Sequence, residues 1–274
     1  MRTRVISSVV LFPLLLFLVI YGGLPLWIAV FVLGLIAQRE FYRAFSQGQN
    51  RPIHLVGYIF SVIYYLFLKP ITQTANLFNI FVSVFLVVIL IYVVLSHKAN
   101  NAQEGIVTFF GMFYTAFLMS HIYLVRAYPV GDFFIWMVFI GAWGCDTGAY
   151  LFGRAFGKHK LIPTLSPNKT VEGAVGGVAT ATLIAVIYGI AGSMIYFGGQ
   201  AAFNVPLLCG LMGFAGSFLA QLGDLAASAF KRYTGIKDYG KLIPGHGGAL
   251  DRFDSVLLTA PAVYYLMVLM TRLG

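Results

Sequence analysis

Residues 206–254 read PLLCGLMGFAGSFLAQLGDLAASAFKRYTGIKDYGKLIPGHGGALDRFD. The first half is an apolar helical run interrupted by one carboxylate, Asp224. A polar loop follows, carrying Lys231, Arg232, Lys237, Lys241 and the pair Gly247-Gly248, and then Asp251 and Asp254 open the last apolar run. An ionisable group inside an apolar membrane helix costs roughly 2.5–3.5 kcal/mol when central, so Asp224 needs a partner. Gln221, Asp224 and Ser228 share i, i+3, i+7 spacing and form one polar stripe running towards Lys231 and Arg232. Carboxylates at a membrane boundary, facing a basic and glycine-rich loop, point to a metal–phosphate site, because a polyphosphate needs hard cations and positive charge.

Composition agrees with a membrane setting. The 274 residues are 59% hydrophobic and 10% charged, with a mean hydropathy of +0.86, which excludes an ordinary soluble domain. Nine apolar runs (5–21, 24–37, 55–68, 77–95, 106–125, 133–152, 171–197, 206–230 and 253–270) predict an all-α integral membrane protein, a polytopic bundle of about nine transmembrane helices. Runs 24–37 and 55–68 are short, so tilted, extended or re-entrant segments are expected there. No small-residue cleavage site follows the first run, so it reads as a retained span and not a removed leader.

Nine spans put fifteen of the eighteen Lys and Arg residues on the side of the N-terminus, which is therefore the cytoplasmic side. In a bacterium this is the cytoplasmic membrane with the site facing inwards. Nine of those fifteen lie in the loops 153–170 and 231–252, where phosphate binding would also require them. The net charge of +9 suits anionic lipid or an anionic substrate, and no basic stripe with interleaved aromatics suggests nucleic acid. Cys145 and Cys209 sit in apolar contexts and read as small buried hydrophobes.

The chain reads as a single membrane domain, 1–274, with residues 1–140 mainly scaffold helices and 141–274 the catalytic core. Twenty-two of the 30 glycines and six of the nine acidic residues lie in that second part, which is where close packing and charge are concentrated. The pairs Gly144/Gly148, Gly153/Gly157 and Gly173/Gly177 suit close helix approach, either within one chain or in a homodimer.

Further polar residues join the core. Ser166-Pro167-Asn168-Lys169-Thr170 precedes Glu172-Gly173 at the start of a helical run, so the segment either presents backbone N–H groups and Lys169 to a phosphate or simply caps the helix. Asp146, in the sixth run, either closes the same site or pairs with a structural cation. Asp254 is either the N-terminal cap of the last helix or a ligand, whereas Asp251, close behind His246-Gly247-Gly248, reads more readily as a ligand. His246 contacts a phosphate or steadies the glycine turn.

At these residues the chain resembles the phosphatidate cytidylyltransferases, or CDP-diacylglycerol synthases. Ser228-Ala229-Phe230-Lys231-Arg232, Lys237-Asp238, Gly240, Ile243-Pro244, His246-Gly247-Gly248 and Asp251-Arg252-Phe253-Asp254 follow that family's signature, and 166–173 resembles its second characteristic segment. Ala249 stands where a larger apolar residue is usual and Asn168 where a lysine often stands, so one phosphate contact is missing. The resemblance implies transfer of CMP from CTP to phosphatidate, giving CDP-diacylglycerol and pyrophosphate. It implies catalytic roles for Asp224, Asp251, Lys231 and Arg232, and substrate binding by Ser166, Lys169, Glu172, Lys237, His246 and Arg252. Mg²⁺ on Asp224, Asp251 and Asp254 is the implied cofactor, with room in the chemistry for a second cation. A CTP-dependent polyprenol kinase would use similar groups but move the γ-phosphoryl. A transporter is the other class in which intramembrane aspartates occur.

Overall fold

The computed structural model describes residues 2–46, 52–96, 102–242 and 247–273. The chain forms α1 (Arg2–Tyr21), α2 (Gly23–Phe45), α3 (His54–Leu66), α4 (Leu68–Gln73), α5 (Ala75–Leu95), α6 (Ala102–Ala127), α7 (Gly131–Phe156), α8 (Val171–Ile195), α9 (Val205–Thr234) and α10 (Leu250–Leu273). Among the described residues seven helices are long and apolar enough to cross a membrane: α2, α5, α6, α7, α8, α9 and α10. This is a helical membrane protein. Two of the nine expected runs form shorter apolar helices, Leu11–Tyr21 and α3.

The short run 24–37 becomes a 23-residue helix because its polar extension is buried with partners. Gln38 donates to Tyr42 Oη (2.9 Å) and accepts from Ser61 (2.7 Å), while Tyr42 Oη donates to the Thr108 carbonyl (2.7 Å). Polar side chains in a membrane bundle hold helices together when they bond across the interface. Arg126, near the end of α6, donates to the Val19 and Ile20 carbonyls (2.9 Å each) and so ties down the C-terminal end of α1.

Helices α6 and α7 each contain one wider π-helical turn, Phe113–Phe117 and Ile140–Gly144. The first turn is locked by Tyr65, whose hydroxyl donates to the Ala116 carbonyl (2.9 Å). The second directly precedes the stretch carrying Asp146.

Helices α7 to α10 pack around one another through small residues. The paired glycines are used inside the chain: Gly153 faces Gly173 across α7 and α8, and Gly177 approaches the Cys145 carbonyl. Gly223 is the tightest case for function. A Cβ there would run into the Asp254 carbonyl, so the absence of a side chain lets α9 and α10 meet directly beside Asp224. Cys145 and Cys209 are buried free thiols, as expected.

One departure from an all-helical fold precedes α8. Strands β1 (Lys160–Ile162) and β2 (Ser166–Thr170) form a small antiparallel hairpin. Ser166 therefore belongs to a strand, and Thr170 caps α8 by accepting from Gly173 N (3.1 Å). The N-terminal ends of α8 and α10 and the C-terminal ends of α2 and α9 converge at one end of the bundle, joined by the contacts described below.

Gly223→Ala should force α9 and α10 apart. The thermal unfolding midpoint of the purified protein should fall by the equivalent of about 1–3 kcal/mol, the usual cost of overpacking.

Candidate active site

The polar stripe on α9 faces α7 and α8. Gln221 donates to the Ala174 carbonyl (2.9 Å) and to Cys145 Sγ (3.2 Å), one turn before Asp224. Asp224 forms a close ion pair with Lys169, which reaches it from the end of β2. Each side chain is a little under one-third exposed, so the pair is partly accessible from outside the bundle. Ser228 is only a weak companion of Asp224, at 3.5 Å.

A second pair lies beside it. Lys231 donates to Asp251 Oδ1 (3.0 Å), and both side chains are well buried. Asp251 Oδ2 accepts from the backbone N–H groups of Tyr239 (2.8 Å) and Gly248 (3.0 Å). Asp251 thus fastens the loop on both sides of 243–246 to the start of α10. Gly247 adopts φ +90°, a left-handed conformation that glycine takes without strain. Burial pushes the Tyr239 phenol well above its ordinary pKa, and its hydroxyl donates to the Ala227 carbonyl (3.1 Å). Lys231 also lies over the Tyr239 ring, 5.5 Å from its centre.

Asp254 is not the helix cap. It lies inside α10, nine-tenths buried, and accepts from Ser255 N (2.8 Å). Its electrostatic neighbours are Asp224, Lys231 and Asp146. Asp146 in turn interacts with Asp224, Lys169 and Arg252. Four carboxylates from three helices therefore share one neighbourhood with Lys169, Lys231 and Arg252. Like charges gathered in this way require cations between them, and the two lysine pairs supply that charge.

The remaining expected residues are placed less centrally. Glu172 accepts from Lys158 N (3.1 Å) and from His159, including Nδ1 at 2.6 Å, so its direct contacts anchor the entry to the hairpin. Arg232, Lys237 and Arg252 are exposed, and Ser166 is half-buried in the hairpin. His246 lies outside the described residues.

The sequence reading placed Glu40 among scaffold residues and missed its role. This carboxylate, buried at the end of α2, accepts from Ala249 N (3.1 Å) and Leu250 N (2.8 Å). It satisfies the free N–H groups that open α10, a task usually given to a local cap. Gly240 and Gly248 both pack against it so closely that a Cβ at either would strike the Glu40 carboxylate. The only sequence signal was an acidic residue continuing an apolar run.

Among the described residues no group of three His, Cys, Asp or Glu forms a ready ligand cage. Mg²⁺ does not need one, since it commonly binds through one or two carboxylates completed by substrate phosphate and water. Asp224 and Asp251, beside Lys169 and Lys231, are carboxylates of the kind that could serve such a cation.

The sequence matches the cytidylyltransferase family profile over residues 2–270. The chain belongs to the cytidylyltransferase family. It is accordingly a CTP-using nucleotidyltransferase. Phosphatidate cytidylyltransferases of Staphylococcus haemolyticus, Staphylococcus aureus (strain COL) and Bacillus subtilis (strain 168) are 31%, 33% and 33% identical to it. Each comparison covers 98% of this chain and 100%, 99% and 98% of the respective relative.

Glu40→Ala should leave the Ala249 and Leu250 N–H groups without acceptors, at a cost of about 1–3 kcal/mol. The expected result is a lower unfolding midpoint with a raised KM for CTP. Glu40→Gln, which keeps a carbonyl acceptor, should fall between Glu40→Ala and wild type in both measurements.

Proposed function

We propose that this chain is a phosphatidate cytidylyltransferase, which joins CMP from CTP to phosphatidate and releases pyrophosphate, with the recess at Asp224 as its active site. The observation that carries this reading is that Asp254, one turn after Asp251 on α10, lies within electrostatic reach of both Asp224 and Lys231 and so links the Lys169–Asp224 and Lys231–Asp251 pairs. The relatives' activity agrees with it.

The chemistry follows from charge. A phosphate monoester is already largely dianionic at neutral pH, so the attacking oxygen of phosphatidate needs no strong general base. The barrier is repulsion between that oxygen and the CTP α-phosphate, followed by charge build-up on the departing pyrophosphate. Lys169 and Lys231 are each held by a carboxylate. Arriving phosphates would draw these ammonium groups to themselves and free carboxylate oxygens at the same moment. Asp224, with Asp251 and Asp254, would then hold Mg²⁺, which neutralises phosphate charge and aligns attack with departure. A second cation, were one used, would be held by Asp146 and Asp254. Arg232, Lys237 and Arg252 are exposed and would meet the triphosphate, with Ser166 and Glu172 contributing from the hairpin and the start of α8; His246, outside the described residues, is assigned to substrate binding by the family resemblance alone.

The membrane setting supplies the second substrate. Acyl tails remain in lipid while the headgroup enters a recess between helices. The charge distribution supports a cytoplasmic position for the site and a cytoplasmic-membrane location in bacteria. The two shorter helices would complete about nine membrane segments in one domain. The small-residue faces leave a homodimer open as an assembly, although those named above are occupied within the chain.

Purified protein given phosphatidate, Mg²⁺ and CTP should place a cytidine label in lipid and a γ-phosphate label in pyrophosphate. A γ-label in lipid would instead identify a lipid kinase. Asp224→Asn and Asp251→Asn should each lower kcat at least about 100-fold, the scale of a lost charge-stabilising group. Chelation of divalent metal should abolish turnover reversibly. Full activity in either variant would remove that residue from the reaction.

A further inference from the structure

Tyr114 is the polar side chain that packing alone does not explain. It sits in the π-helical turn of α6 and is only 5% exposed. Its hydroxyl is buried with no hydrogen-bond partner among the described residues. Such a group destabilises a folded protein by about 1–3 kcal/mol, so its presence asks for a reason. Neighbouring tyrosines show the contrast: Tyr42, Tyr65 and Tyr239 all donate to backbone carbonyls.

The surroundings indicate a ligand. The ring is fixed by Phe110, stacked at 5.6 Å, and by the edge of Phe230 at 5.3 Å and Phe41 at 5.5 Å. Phe230, packed against the Tyr114 ring, directly precedes Lys231 of the Lys231–Asp251 pair, and the charges of Asp254 and Asp224 act on the Tyr114 hydroxyl. Phe230, immediately before Lys231, has a second exposure. It lines an apolar groove with Phe45, Ile106, Val107, Ala229 and Tyr233, between α2, α6 and α9. Tyr114 therefore stands where an apolar wall meets the charged site, which is the boundary that an amphipathic lipid must straddle and a nucleotide need not.

We infer that Tyr114 binds the lipid substrate, donating its hydroxyl hydrogen bond to a headgroup oxygen of phosphatidate while the acyl chain lies along the groove beside Phe230. The inference rests on the active-site reading above. Tyr114 lies in a π-helical turn, a local form that recurs at functional sites.

Tyr114→Phe removes one oxygen and nothing else. In the full-length purified protein, kcat/KM for phosphatidate should fall about 10- to 100-fold, the range for a lost hydrogen bond to a charged group. KM for CTP should stay unchanged, and the unfolding midpoint should stay equal or rise, because a buried unpartnered hydroxyl has been deleted. A purely structural hydroxyl would give the opposite pattern, a lower midpoint with intact phosphatidate kinetics. Wild-type kcat/KM for phosphatidate, or an effect confined to the CTP KM, overturns the assignment. Asp224→Asn measured alongside separates the two levels. If it is inactive while Tyr114→Phe is normal, only the tyrosine's role is lost; if it is fully active, the site itself is misassigned.

Discussion

Uncompensated negative charge at a lipid boundary is the constraint on which this structure depends. Asp146, Asp224, Asp251 and Asp254 lie close enough to interact, or share a partner, and carboxylates set in apolar helices are costly without cations beside them. Lys169 and Lys231 resolve the problem by reaching in from polar segments outside the apolar runs. Each lysine thereby couples a loop to a helix: Lys169 draws the hairpin onto α9, and Lys231 draws the end of α9 onto the start of α10. The same charges that would serve a reaction thus also organise the resting fold.

Glu40 extends the constraint to the other half of the chain. It contributes no cation, yet it fixes the N-terminal end of α10 through two backbone N–H groups and excludes side chains at Gly240 and Gly248. Asp251 uses one oxygen on the Tyr239 and Gly248 N–H groups and the other on Lys231, so its orientation depends on the loop that Glu40 holds. A helix from the first fifty residues is consequently part of the site's foundation, and the division into scaffold and catalytic core is less sharp than composition implies.

Residues whose chemistry is local in sequence were legible without coordinates. Asp224 in an apolar run, the basic loop after it and the Asp251–Asp254 turn announce a charged membrane-boundary site, and helix periodicity gives the architecture. Relations between distant residues were not legible. Nothing in residues 38–42 indicates that Glu40 meets Ala249, because a cap supplied from 209 positions away leaves no local spacing. The hairpin was hidden for a related reason: Pro167 and Asn168 resemble a turn, and strand pairing with Lys160–Ile162 depends on register across the intervening loop. The run 24–37 was read as short because polar residues ended it, although those residues are buried with partners and continue the helix.

Catalysis between a soluble nucleotide and a membrane lipid poses a solvation problem that this layout addresses. The nucleotide phosphates need cations and water, whereas the lipid tails need hydrocarbon, and the reacting atoms must meet where both are satisfied. Along α9 the change occurs within two residues: Phe230 packs with Tyr114 and lines the apolar groove, and Lys231 turns to Asp251. A change that abrupt cannot be made by a flexible loop without exposing backbone to lipid, so it is carried by a helix whose own hydrogen bonds are complete. The close approach at Gly223 then brings Asp254 beside that boundary from the neighbouring helix. The carboxylates are thus carried on helices, and the two lysines reach them from the hairpin and from the end of α9.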